Sequence, residues 1–194
     1  MNSDDLRQDI LRCREDFSYF SEKYLKIITK ESELKPLIPN QAQMKIVDSI
    51  RNNDHMMLLK ARQLGSTTII AAYFFWHTLF NKYTRTAIVA HTDEAVKKIF
   101  EIYHLFHKHL PKHLKLETTR SRENEIKFIT GSSIRVGSAS SQSFRGSTYN
   151  LIHASEYAFW NNMEKTIASL FGARTKSAKI VLESTANGMN EAYD

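Results

Sequence analysis

The chain has 194 residues, 42% of them apolar, and a formal net charge of +6 from 27 lysines and arginines against 21 aspartates and glutamates. The single cysteine, Cys13, excludes a disulfide framework and a cysteine-rich zinc site, and no apolar run reaches the ~18 residues of a membrane span. What is left is a soluble, mildly basic domain of a reducing compartment, large enough to bury a core unaided; a signal peptide is not expected from the charged N-terminus, and the charge alone is weak evidence for nucleic acid.

Apolar residues at helical spacing (Leu6, Ile10, Phe17, Phe20, Tyr24 and Ile27) predict one amphipathic helix over residues 4–28. Residues 29–40 hold two of the three prolines and read as a connector. A second helix is expected from Gln41 to Arg51. HMMLLK (55–60) suits a buried strand, ARQLGS a turn, and Thr67–Phe80 an apolar helix whose aromatics Tyr73, Phe74, Phe75, Trp76 and Phe80 read as core. TRTAIVAH (84–91) is another buried strand and 93–110 another helix. This β-α-β-α order argues for a parallel sheet covered on both faces. KLETT, EIKFIT and SIRVGS then read as a β-meander or hairpin, and 138–148 as a polar loop. NLIHA (150–154) and AKIVLEST (178–185) are two more buried strands, with a helix around 161–173 between them.

Three segments carry chemistry. The first is Leu58-Leu59-Lys60-Ala61-Arg62-Gln63-Leu64-Gly65-Ser66-Thr67-Thr68, a turn between strand and helix, where backbone N–H groups and the helix dipole can face phosphates. Against GxxxxGK[ST] the first glycine is Lys60 and the lysine is Ser66, while Gly65 and Thr67 fit. Lys60 can supply the cation from the other end of the loop, Arg62 is a second candidate, and Thr67 offers a hydroxyl to Mg²⁺. The second is NLIHASEYAFW, a strand ending in Ser155-Glu156, where an acid pair would stand; Glu156 can orient or activate a water. Ser155 offers the metal's water shell only a hydroxyl. The third is Ile180–Gly188, a strand ending in Ser184, Thr185 and Asn187, short hydrogen-bonding residues at the sheet edge where ligands sit in open α/β folds. The segment Ser143-Phe144-Arg145-Gly146 adds an arginine suited to phosphate charge, and Gln41, at the start of a helix, carries an amide that can both donate and accept. His104, His107, His109 and His113 crowd one helix end without a completing cysteine or acid pair. They read as a solvated helix end, and the basic HKHLPKHLK stretch with Arg120 and Arg122 as a solvated face or a backbone contact.

LLKARQLGSTT, HASEYAFW and ESTANG, in this order, resemble the deviant Walker A, the Walker B and the coupling motif of viral large terminase subunits, the ATPases that package DNA into procapsids. The resemblance runs from Gln41 to Gly188 and departs from the family at Ser66 for lysine and Ser155 for aspartate. It implies a P-loop NTPase fold of the additional-strand type: an α/β domain with a mostly parallel central sheet over 41–194, preceded by a helical appendage and connector over 1–40. Implied with it are ATP and Mg²⁺ as ligands, and Glu156 as the catalytic base. Lys60, Ala61, Arg62, Gln63, Leu64, Gly65, Ser66, Thr67 and Thr68, with Gln41, form the nucleotide site, and Thr67 and Ser155 the metal contacts. Ser184, Thr185 and Asn187 are the coupling residues, and Arg145 an arginine finger or a DNA contact. The family implies double-stranded DNA, a portal protein and a small terminase subunit as partners. It also implies a homo-oligomeric ring on assembly (a monomer in isolation), no membrane, and work on the procapsid in the host bacterial cytoplasm, not in the mature virion. A nuclease domain follows the ATPase in such proteins. Nothing after Gly188 resembles its acidic cluster, so cleavage is not expected of this segment, which reads as a truncated piece. Two other readings are a nucleotide-binding DNA or assembly platform that does not hydrolyse, and a helicase-like DNA translocase.

Overall fold

The apolar runs at 55–60, 84–91, 150–154 and 178–185 call for cover on both faces. In the computed structural model, which describes residues 2–61, 63–140, 144 and 146–187, the last three receive it along their apolar stretches, whereas the strand at 55–59 lies at the edge of the sheet with Met57 and Leu59 exposed. The elements in chain order are α1 (Ser3–Glu15), α2 (Phe17–Tyr24), β1 (Lys26–Ile28), β2 (Leu34–Pro36), α3 (Gln41–Asn52), β3 (His55–Leu59), α4 (Ser66–Phe80), β4 (Arg85–Ala90) and α5 (Asp93–His109). They continue with β5 (Thr118–Arg122), β6 (Glu125–Phe128), β7 (Ser133–Ser138), β8 (Tyr149–Ser155), a 3-10 turn (Tyr157–Phe159), α6 (Met163–Gly172) and β9 (Arg174–Ser184).

Seven strands form one sheet in the order β3-β9-β8-β4-β7-β6-β5. Pairing is parallel from β3 through β7 and antiparallel at β6 and β5. The expected meander is present, with its last strand joined in parallel to β4. Strand β9 lies between β3, which leads into the phosphate-type loop, and β8, which carries Glu156; that insertion is the mark of the additional-strand class.

Alternation along the strands sorts side chains between two cores. From β4, Ile88 and Ala90 join a large cluster with α3, α4 and α5, whereas Ala87 and Val89 join a smaller one with Met163 and Leu170 of α6. From β9, Val181 and Ile180 divide the same way. The aromatics of α4 are core, as expected: Phe74 and Phe75 are fully buried.

The single helix expected over 4–28 is two helices and the start of a hairpin. Asp16 is extended, ends α1 and caps α2, accepting from the Tyr19 N–H at 3.0 Å. A good N-cap residue breaks a helix that apolar periodicity alone would continue. Ile27 lies in β1, which pairs with β2 inside the expected connector. Phe17 packs edge-on against Tyr73 and Trp76, Phe20 against Phe80, and the Trp76 indole donates to the Cys13 carbonyl at 2.7 Å. The N-terminal helices therefore share the larger core with α4. Strand β9 starts four residues before the expected position, at Arg174.

Candidate active site

The site lies at the C-terminal edge of the parallel strands, where β3, β9 and β8 end side by side. The backbone N–H of Lys60 continues the β3–β9 ladder by donating to the Ser184 carbonyl at 3.0 Å. The chain then loops to Gly65, the N-cap of α4, at φ +71, a left-handed conformation that glycine adopts without strain. Gly65 offers no side-chain cap to α4, and the first N–H groups of such a helix are the kind that receive an anion. Two contacts fix the loop from outside. Gln43 of α3 donates to the Leu64 carbonyl at 3.2 Å, and Lys30 donates to the Gln63 side chain at 2.7 Å. Gln63 itself is held at φ +63, a costly backbone for a residue with a Cβ.

Lys60 turns inward over the first turn of α4. Its ammonium is 3.2 Å from the Thr67 hydroxyl, 2.9 Å from Glu183 Oε1 and 3.2 Å from Glu156 Oε1. Ser66 and Thr67 also donate to Glu183 Oε1, at 2.7 and 2.9 Å, and His153 Nε2 meets the other oxygen, Oε2, at 2.7 Å. Glu183 is fully buried. Burial would raise its carboxyl, but the His153 contact, the Lys60 charge and the Ser66 hydroxyl hold it down at about 2. Burial would likewise favour neutral Lys60, and the two carboxylates outweigh it, raising the amine.

Glu156 follows β8 in a left-handed conformation, φ +54, which swings its carboxylate toward Lys60. Its Oε2 accepts from both the N–H and the hydroxyl of Thr185, each at 3.1 Å. Against the raising effect of burial, these bonds and Lys60 hold the Glu156 carboxyl below its usual range. The rest of the third motif clips the same turn: Ala158 N–H donates to Ser184 Oγ at 3.3 Å, and Asn187 donates to the Ala158 carbonyl at 2.8 Å.

The structure thus brings together Lys60, Gly65, Ser66, Thr67, Glu156, Ser184, Thr185 and Asn187, and it sets Ser155 beside them at the end of β8. Ala61, Gln63 and Leu64 form the exposed rim of the loop. Thr68 departs from the expected grouping: it lines a separate cavity between α5 and β1, with Ile27 and Ile102. Gln41 is the exposed first residue of α3, and the glutamine that touches the loop is Gln43. Arg62, Arg145 and Gly188 lie outside the described residues. The histidines are spread apart, His113 on Asp9 and His107 on the Leu116 carbonyl, and no group of three or more His, Cys, Asp or Glu among the described residues is arranged to hold a metal.

Sequence reasoning missed Glu183, His153 and Gln43. A signal for Glu183 was present: a glutamate inside the apolar strand IVLES must be paired if that strand is buried. The identity of its partners depends on register between distant segments.

A family model for the N-terminal part of the terminase large subunit, T4likevirus type, matches residues 57–194. The HK97 bacteriophage large terminase superposes with a TM-score of 0.72 at 17% identity, covering 88% of this chain and 37% of that one. The large terminase of a thermophilic bacteriophage, solved in complex with ADP, gives 0.56 at 15% identity over 74% of this chain and 38% of that one. The large terminase ATPase domain of Thermus phage P74-26 gives 0.58 at 17% identity, over 78% of this chain and 66% of that one. The chain therefore spans little more than a third of the HK97 protein's length. At these identities the superpositions establish a common fold, and the model matching more than half of the sequence establishes the family: this chain belongs to the terminase large subunits of the T4-like-virus type, as their N-terminal part.

Proposed function

We propose that this domain binds Mg²⁺·ATP at the C-terminal edge of β3, β9 and β8, and that its hydrolysis drives double-stranded DNA into a procapsid. The observation that carries the reading is the convergence of Lys60, Thr67 and Glu156 at the N-terminus of α4. ADP in the thermophilic phage enzyme of the same fold supports it.

In this reading the loop N–H groups from Gly65 to Thr67 and the Lys60 ammonium receive the phosphates. A magnesium ion prefers one or two protein oxygens beside phosphate and water, and the hydroxyl and carboxylate oxygens here suit it. When bound, it would neutralise charge on the transferring phosphoryl group. Glu156 stays ionised, so it orients and polarises the attacking water more than it stores a proton. Lys60 bridges both carboxylates, so phosphates that draw it away loosen Glu156. Thr185, Ser184 and Asn187, bonded to the Glu156 turn, then carry that change to the end of β9.

A ring of subunits on a portal, fed by a small terminase subunit in the host cytoplasm, is the corresponding assembly, with Arg145 as finger or DNA contact. Phosphate release by the wild type and by Glu156→Ala, with DNA present, tests the reading. Loss of at least about 100-fold on removing the base is expected. An inactive wild type that still binds ATP would favour the non-hydrolysing platform.

A further inference from the structure

The second motif lacks its acid: Ser155 stands where P-loop ATPases carry the aspartate that works with the loop hydroxyl on Mg²⁺. The sheet supplies a carboxylate one strand over. In the parallel β8–β9 ladder Ser155 pairs with Glu183, so both side chains emerge on the same face at the same level. Because β9 is the strand inserted between β8 and β3, this shift carries the acid toward the loop. Glu183 Oε1 accepts from the hydroxyls of Ser66 and Thr67 at 2.7 and 2.9 Å and lies 2.9 Å from Lys60. Contact with the loop hydroxyl is the relation the missing aspartate would have.

Resting on the nucleotide-site reading above, we propose that Glu183 is the carboxylate of the metal cradle, orienting the Thr67 hydroxyl toward the nucleotide-bound Mg²⁺ in place of an acid at position 155. His153, on Oε2, fixes the carboxylate from behind, the arrangement by which a metal's outer partners are held in orientation. Ser66, at the usual lysine position, serves the same carboxylate. The two departures from the family motif are thus linked. The lysine leaves position 66 for position 60 and the acid leaves position 155 for position 183, and the relocated pair meets at 2.9 Å.

A scaffold role and a metal role differ in what Mg²⁺ does to nucleotide affinity. The test measures binding of a non-hydrolysable ATP analogue to the full chain in excess Mg²⁺ and in EDTA. The proteins are the wild type, Glu183→Gln, and Glu183→Gln combined with Ser155→Asp. The wild type is expected to bind more tightly with Mg²⁺. Glu183→Gln, which keeps the shape and one acceptor, is expected to lose about 10–100-fold of that gain while keeping its affinity in EDTA. Ser155→Asp should restore the gain by returning a carboxylate to β8. A Mg²⁺ gain that survives in Glu183→Gln overturns the proposal. So does loss of binding in EDTA as well, which would mark Glu183 as a loop scaffold. A wild type that binds nucleotide without any Mg²⁺ gain overturns this inference alone, whereas one that binds no nucleotide overturns the ATPase reading too.

Discussion

Lys60 sits between two carboxylates and is mostly withdrawn from water, with a side chain 10% exposed. Removing one partner of such a group is far costlier than never having had it, because the remaining charge stays buried. Lys60→Met is therefore expected to destabilise the fold by about 3 kcal/mol, read as a lower urea midpoint, and to weaken nucleotide binding. An unchanged midpoint together with unchanged affinity would show that the ammonium holds neither the fold nor the ligand. Glu183 adds a pH signature. Its carboxyl falls from 4.5 to about 2 on folding, so its ionised form stabilises the native state above pH 4.5. That contribution is lost as pH falls from 4.5 toward 2. The urea midpoint of the wild type should drop across this window, and the drop should be shallower in Glu183→Gln. Equal acid slopes in the two proteins would place the acid sensitivity elsewhere.

The loop between β3 and α4 depends on one backbone conformation. A Cβ at Gly65 would stand 2.7 Å from the Gln43 amide nitrogen, at φ +71. The glutamine can swing away, but the left-handed backbone cannot relax without moving the loop. Gly65→Ala should cost about 1–2 kcal/mol and break the Gln43–Leu64 bond. Adding Gln43→Ala should relieve the clash and leave the backbone strain, so calorimetry should find the double variant still short of wild-type nucleotide affinity. Full recovery would assign the whole effect to the clash. This element was legible in the sequence because β3, the loop and α4 are contiguous, and each has a local signal: an apolar run, a glycine and a hydroxyl. The break at Asp16 was not legible, since Leu6 and Ile10 before it and Phe17 and Phe20 after it keep helical spacing across a residue whose side chain prefers to cap. Nor were the partners of Glu183, because they come from two distant juxtapositions. Its pairing with Ser155 joins strands that a turn and α6 separate, and its bonds to Ser66 and Thr67 join residues more than a hundred positions apart. Sequence patterns report what is adjacent along the chain, and this site is completed across it.

At the scale of the molecule, the N-terminal helices are fastened to the α/β core by an apolar contact and a polar one. Phe17 and Phe20 are fully buried against the aromatics of α4. The polar fastening is Asp9, buried, which accepts from Tyr19 at 2.6 Å, Lys23 at 2.7 Å and Tyr24 at 2.5 Å, and meets His113, beyond α5, at 3.0 Å. Burial pushes its carboxyl up, and these four partners more than reverse that, holding it far below the ordinary range. Cys13, one helical turn further along α1, is inaccessible, and its thiol is pushed up to about 12, first by burial and then by the Asp9 charge. A thiol reagent at neutral pH should therefore leave native Cys13 unmodified and react only when α1 lifts from α4. Asp9→Asn removes the charge that Lys23 answers and alters the carboxylate that His113 meets. It is expected to cost about 2 kcal/mol and to speed Cys13 labelling about tenfold or more, while nucleotide affinity, set at the far edge of the sheet, stays unchanged. Labelling that accelerates only as much as the global urea stability falls would mean that α1 opens with the whole core. Labelling that accelerates further would show the two helices opening as a unit of their own.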